Sequence, residues 1–142
     1  MDLREALGAR EAASLQKFSL YLPERDRNGA PVAEIEKWIE ATLAIFGEIN
    51  GGATRIPVAE GYWRPETGEP VREPTNLVYS YIRDADRFAA NLDRLVRFIH
   101  SFGKHANQGE VMVEFSGEVP GRGFVERAYF IDEYPKAGER PF

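Results

Sequence analysis

The spacing of apolar residues changes period twice along the chain. Phe18, Leu20 and Leu22 alternate with Lys17, Ser19 and Tyr21, the two-residue repeat of a strand with one apolar face. Further on, Ile35, Trp38, Ile39, Thr42 and Phe46 recur at three and four residues, with Val32, Leu43 and Ile45 widening the stripe. Such a stripe predicts an amphipathic helix over 32–46, with Pro31 in its first turn and Gly47 as its stop. The segment Asn76 to Ile82 is β-favouring and apolar on both alternations, as expected of the best buried strand. Phe88, Leu92, Leu95, Val96, Ile99 and Phe102 mark a second helix, capped by Asp84 and ended by Gly103. Val111, Val113 and Phe115 then alternate with Met112 and Glu114.

The intervening segments complete the pattern. Residues 53–57 and 61–63 read as one bent strand, which Pro57 and Pro65 confine to a sheet edge or a bulge. Pro65 to Gly68 is a turn with proline early and glycine last, so a hairpin should follow. A glycine-rich loop over 116–123 leads to a last alternating strand over 124–131, and Asp2 to Ala13 has helix-forming composition over about three turns. The order is βαββαβ, and the expected fold is an α+β, ferredoxin-like sandwich with an additional C-terminal strand and a short N-terminal helix. A single domain over 1–142 is expected, with 1–15 as an arm and 132–142 as an unpatterned tail.

Helices on one face of such a sheet leave the other in need of cover. Leu77, Tyr79 and Tyr81 share the alternation opposite Val78 and Ile82. A homodimer through that face, a protein partner, or cover by the N-terminal arm and last strand would each satisfy it.

Composition narrows the function classes. The chain of 142 residues is 43% hydrophobic and 12% aromatic, enough for one core without disulfide or metal. It has no cysteine, which rules out thiol catalysis and thiolate metal sites. The net charge of −5 opposes broad attraction to nucleic acid, and only a stripe of Arg83, Arg87, Arg94 and Arg97 would argue otherwise. No membrane-length apolar run and no leader-like start are present, so a cytoplasmic protein is expected.

Two clusters are candidates for chemistry. The two histidines, His100 and His105, are five residues apart, about 140° around a helix, and cannot share one metal ion. His105 nevertheless sits beside Gln108 and Glu110, where a histidine oriented by a carboxylate could act as general acid or base; a solvated connection is the alternative. The second cluster is Glu60, Tyr62, Trp63, Arg72 and Glu73. A hairpin across 65–68 would set Trp63 beside Arg72 and Glu73, forming a wall suited to a cation, an amide or a sugar edge; an edge tryptophan stacked by a paired arginine is the alternative. His105, Glu110 and Glu73 are therefore the candidate catalytic groups, and Trp63, Arg72, Gln108 and Tyr62 the candidate ligand contacts. Phosphate loops, dinucleotide fingerprints and hydrolase elbows are missing, and no metal site or cofactor is expected.

Gly51-Gly52-Ala53-Thr54, Gly61-Tyr62-Trp63, Gly68, Glu73 and Asn107-Gln108-Gly109-Glu110-Val111 resemble marks of a group of small bacterial proteins with no assigned function. That resemblance, over about Phe18 to Phe115, implies a ferredoxin-like domain and a dimer, and supplies no activity. The first functional expectation is accordingly a cytoplasmic protein that binds itself or a partner through its sheet face. The alternative is a small enzyme working by His/Glu proton transfer or hydrolysis in a cleft near the end of the second long helix.

Overall fold

The computed structural model describes residues 2–10 and 15–142. Among these described residues, four helices and five strands follow in the order α1 (Leu3–Ala6), β1 (Gln16–Pro23), α2 (Ile35–Asn50), β2 (Thr54–Trp63), β3 (Val71–Ile82), α3 (Ala85–Ala90), α4 (Leu92–His105), β4 (Val111–Val119) and β5 (Gly123–Ile131). The strands form one sheet in the order β2-β3-β1-β4-β5, antiparallel throughout. The first four strands have the ferredoxin-like arrangement, and β5 extends the sheet through a hairpin. The short N-terminal helix is α1, capped by the Asp2 carboxylate on the Glu5 amide; the rest of the expected arm includes residues 11–14, outside the described residues.

The core lies between the sheet and the pair α2 and α4. From β1, Phe18, Leu20 and Leu22 enter it; Val78 and Ile82 join from β3, and Val111 and Val113 from β4. Opposing them are Trp38, Ile39, Phe46 and Ile49 of α2 and Leu95, Ile99 and Phe102 of α4. Trp38 meets the Phe102 ring edge-on at 5.4 Å, and Phe18 meets Phe46 at 5.7 Å, an arrangement favoured by aromatic quadrupoles. As the prolines require, β2 is an edge strand, and its register shifts between Ile56 and Ala59 around Pro57.

Several expected boundaries are corrected. Val32 donates its amide to the Glu24 carbonyl and Pro31 pairs with Arg25, so 31–32 close a loop and α2 begins at Ile35. Gly47 does not stop α2, which runs three residues further to a cap at Gly51, where φ is 85° and glycine is needed. The second helical stripe is broken at Asn91, whose side-chain amide donates to the Arg87 carbonyl, dividing α3 from α4. Gly103 lies inside α4 and is buried; the aromatic ring of Tyr134 rests where its Cβ would be.

That contact belongs to the segment after β5. Residues 132–142 form a strap over the helices. The amide of Lys136 donates to His100 Nδ1 at 3.1 Å, the amide of Gly138 donates to Ser101 Oγ at 2.9 Å, and Arg140 pairs with Glu34 at 3.3 Å. Phe142 packs edge-on against Trp38 at 5.0 Å. Among the described residues, no helix is long and apolar enough to cross a membrane.

Candidate active site

The candidate site lies on the face of the sheet away from the helices. Alternation sends Tyr21 and Pro23 of β1, Glu73 and Thr75 of β3, Gly61 and Trp63 of β2, and Met112 and Glu114 of β4 to this face. At its end by the β1–α2 loop, these strands floor an open cavity of about 690 Å³, walled by Ala59 to Trp63, by Arg25 to Arg27 and by Gln108 to Glu110. Its size suits a small organic ligand.

The hairpin register builds the aromatic and acidic wall. Gly61 lies opposite Glu73, and Trp63 lies opposite Val71. A Cβ on Gly61 would sit 3.3 Å from the Glu73 carbonyl oxygen and 3.5 Å from the Trp63 Nε1, so glycine leaves room for the indole to fold across. The indole lies close enough to the Glu73 carboxylate for its N–H to favour the charged form. Burial pushes the Glu73 carboxyl up from the ordinary carboxylate value, while the indole N–H, the Arg25 charge and the Arg25 backbone amide oppose that rise. A carboxyl balanced in this way can hold or release a proton nearer neutrality than a solvated one.

Beside it, the Tyr21 hydroxyl donates to Glu114 Oε1 at 2.7 Å, and burial together with that carboxylate pushes the phenol up to about 12. In the β1–α2 loop, Asp26 accepts the amides of Asn28 and Ala30 at 2.8 and 3.0 Å, and the Asn28 amide leads in holding its carboxyl below the usual range. This turn presents Arg25 and Arg27 to the cavity. Gln108 is buried, donating from Nε2 to the Arg25 and Ala106 carbonyls, both at 3.1 Å.

Of the residues singled out from sequence, Tyr62, Trp63, Glu73, Gln108 and Glu110 meet in this one cavity. His105 is elsewhere. Its Nε2 pairs with the Gly138 carbonyl at 2.8 Å and its ring stacks near Trp38, on the strap side of α4. Arg72 is not part of the lining; it pairs with Glu60 at 2.6 Å and lies over the Tyr62 ring at 5.6 Å. Sequence reasoning missed Tyr21, Arg25, Asp26 and Arg27. The Asp-Arg-Asn-Gly turn at 26–29 was the available signal, since it concentrates charge at the end of the strand entering the core.

Two of the four arginines of the expected stripe are paired with acidic side chains, and a third bonds to main chain. Arg94 pairs with Glu48, Arg97 with Asp93, and Arg87 donates to the Glu48 carbonyl. Among the described residues, no group of three His, Asp or Glu side chains is arranged to hold a metal ion.

No family model matches the sequence, and no curated protein does. Two solved structures do. A phage SAM lyase in complex with S-methyl-5'-thioadenosine superposes with a TM-score of 0.59 at 19% identity, covering 87% of this chain and 93% of the other. The same enzyme in its apo state gives 0.58 at the same identity and coverage. At that identity the likeness establishes a shared fold. It also corrects the expected kinship with bacterial proteins of unassigned function: the fold is shared with a named phage enzyme.

Proposed function

We propose that this protein is an enzyme whose active centre is the sheet-face cavity and whose substrate is an adenosine sulfonium such as S-adenosylmethionine. The supporting observation is the meeting of Trp63, Glu73, Gln108 and Glu110 in one cavity, on the fold of a phage SAM lyase captured with S-methyl-5'-thioadenosine. The enzymatic alternative raised from sequence thus replaces the purely partner-binding expectation.

The chemistry of the lining accords with such a substrate. Aromatic faces at Tyr62 and Trp63 can stack a purine, and carboxylates at Glu73 and Glu110 can attract a sulfonium. Arg25 and Arg27 can pair with the carboxylate of an amino-acid moiety. In the reaction class proposed, a Glu73 or Glu110 carboxylate takes a proton from the carbon next to the one bonded to sulfur; the C–H electron pair forms a carbon–carbon double bond as the carbon–sulfur bond breaks and its electron pair returns to sulfur. The cation becomes a neutral thioether, and the carboxylates lose their hold on it, which favours release. Glu73 and Glu110 are the catalytic groups of this reading, and Tyr62, Trp63 and Gln108 its ligand contacts. His105 and Arg72 lie outside the cavity and have no part in it.

The test is incubation of the purified chain with S-adenosylmethionine, following S-methyl-5'-thioadenosine by liquid chromatography and mass spectrometry. Product formation that is lost in Glu73→Gln and Trp63→Ala supports the reading. No product from the wild type, together with no calorimetric binding of S-methyl-5'-thioadenosine, contradicts it.

A second reading concerns the same face beyond the cavity. We infer that the sheet face also joins copies of the chain, because Leu77, Tyr79 and Tyr81 continue into the exposed Ile56 on β2, and Phe124 and Phe130 lie exposed on β5. The whole of 1–142 acts as one unit in this reading, in the cytoplasm, where an S-adenosylmethionine pool is found. Sedimentation of the wild type and of Tyr81→Glu tests it: an oligomer that dissociates in the variant supports it, and a wild-type monomer at high concentration contradicts it.

A further inference from the structure

The strap reaches the cavity at one point. Tyr134 places its ring over Gly103, where a Cβ would approach the ring to 2.2 Å, and donates its hydroxyl to the Gln108 carbonyl at 2.8 Å. The same carbonyl accepts from Arg27 Nη2 at 2.7 Å, so both of its lone pairs are engaged. The Gln108 amide donates to the Gly103 carbonyl at 2.9 Å, and the Arg27 amide donates to the Asn107 carbonyl at 3.0 Å. Gln108 is therefore the joint between the two loops that wall the cavity, and one of the two bonds on its carbonyl comes from the strap.

We propose that Tyr134 is a positioning residue for the cavity: its hydroxyl, held in place by the strap on α4, sets the Gln108–Glu110 wall against the Arg25–Arg27 loop. The ring and the hydroxyl have separate duties. The ring fills the space above Gly103 and anchors the start of the strap, whereas the hydroxyl alone touches the wall. The remaining strap contacts, from Lys136 to His100, Gly138 to Ser101 and Phe142 to Trp38, fix where Tyr134 stands without touching the cavity lining. The consequence for ligand binding rests on the function proposed above; the consequence for the wall does not.

The test compares Tyr134→Phe, which keeps the ring and removes the hydroxyl, with Phe142→Ala, which loosens the far end of the strap. Amide hydrogen exchange of the ligand-free full chain reads the wall directly. Tyr134→Phe should speed exchange at residues 107–110 and 25–28 about fivefold, the factor that one hydrogen bond of ordinary net strength is worth. Phe142→Ala should lower the thermal midpoint while leaving exchange at those residues unchanged. In a wild type that binds S-methyl-5'-thioadenosine, Tyr134→Phe should also weaken Kd about fivefold and Phe142→Ala should not, a separation that mere loss of stability would not produce. Exchange at 107–110 identical in Tyr134→Phe and wild type overturns the proposal. Faster exchange in Tyr134→Phe together with a wild type that binds no nucleoside removes the proposed substrate and leaves the positioning role standing.

Discussion

Adjacent residues of a single strand do different work on the two sides of this sheet. On β1, Leu20 and Leu22 are wholly buried beneath α2 and α4, while Tyr21 between them turns to the other side and spends its hydroxyl on Glu114. On β3, Val78 lies in the core, while Glu73 and Thr75 floor the cavity. The helix-covered face is mainly apolar, with Asn76 and Ser80 buried among its hydrophobic residues; the other gathers carboxyls, phenols and arginines, two of them displaced from their ordinary proton affinity by burial. On the proposed function, stability and chemistry are divided by the two-residue period of the strands, and a substitution should disturb one with little effect on the other.

The two tryptophans give the sharpest contrast. Trp38 is 1% exposed and touches Phe98, Phe102 and Phe142, so Trp38→Ala should cost about 3–5 kcal/mol in urea unfolding. Trp63 is 47% exposed, and Trp63→Ala should cost less than about 1 kcal/mol while abolishing ligand binding. Comparable stability losses in the two variants would break the division.

Two helical glycines sharpen it on the covered face. Gly47 has open space where a Cβ would be added, so Gly47→Ala should raise stability by about 0.5–1 kcal/mol through helix propensity. Gly103→Ala faces the Tyr134 ring and should instead lose about 1–3 kcal/mol from overpacking. Opposite signs in denaturant midpoints are expected for the same chemical change.

These glycines also show where the sequence was legible. Periodicity revealed the two long helices, all of the core strands and the antiparallel order, because burial on one face imposes a repeat that local residues display. Helix ends were misread at Gly47 and Gly103, since a glycine tolerated within a helix looks the same as a glycine that ends one; only the Tyr134 ring, 31 positions on, distinguishes Gly103. Trp63 and Glu73 were legible because a hairpin turn fixes which residues oppose each other. His105 was misplaced because chain proximity to Gln108 and Glu110 hides the change of side: α4 ends under the strap, and the turn after it crosses to the open face. The turn at 26–29 announced the charge of the β1–α2 loop but not its placement, which depends on a bridge from Arg25 to Pro31.

Smaller effects appear in pH dependence. Glu73 has a folded-state proton affinity raised above the ordinary value of 4.5, so its contribution to stability is full below that pH and is lost as pH rises through the raised value. Glu73→Gln should remove that decline, leaving a variant at least as stable as wild type at pH 7 yet inactive. On the covered face the sign is reversed. His100 is held below its ordinary value of 6.5, first by burial and then by Lys136, and its Nδ1 must be unprotonated to accept the Lys136 amide. Its contribution is full above about 6.5 and is lost as pH falls through the lowered value. Thermal midpoints recorded from pH 4 to 8 should therefore lose an acid-side slope in His100→Gln and a slope above pH 4.5 in Glu73→Gln.

The most direct measurement is an amide and indole NMR titration of the full chain with S-methyl-5'-thioadenosine. Shifts concentrated at the Trp63 indole, Gly61, Thr75, Gly109 and Met112, with the Trp38 indole unmoved, are the expected result. A saturating titration that moves no resonance, or moves those around Trp38 and the strap instead, would contradict the assignment of chemistry to the open face of the sheet.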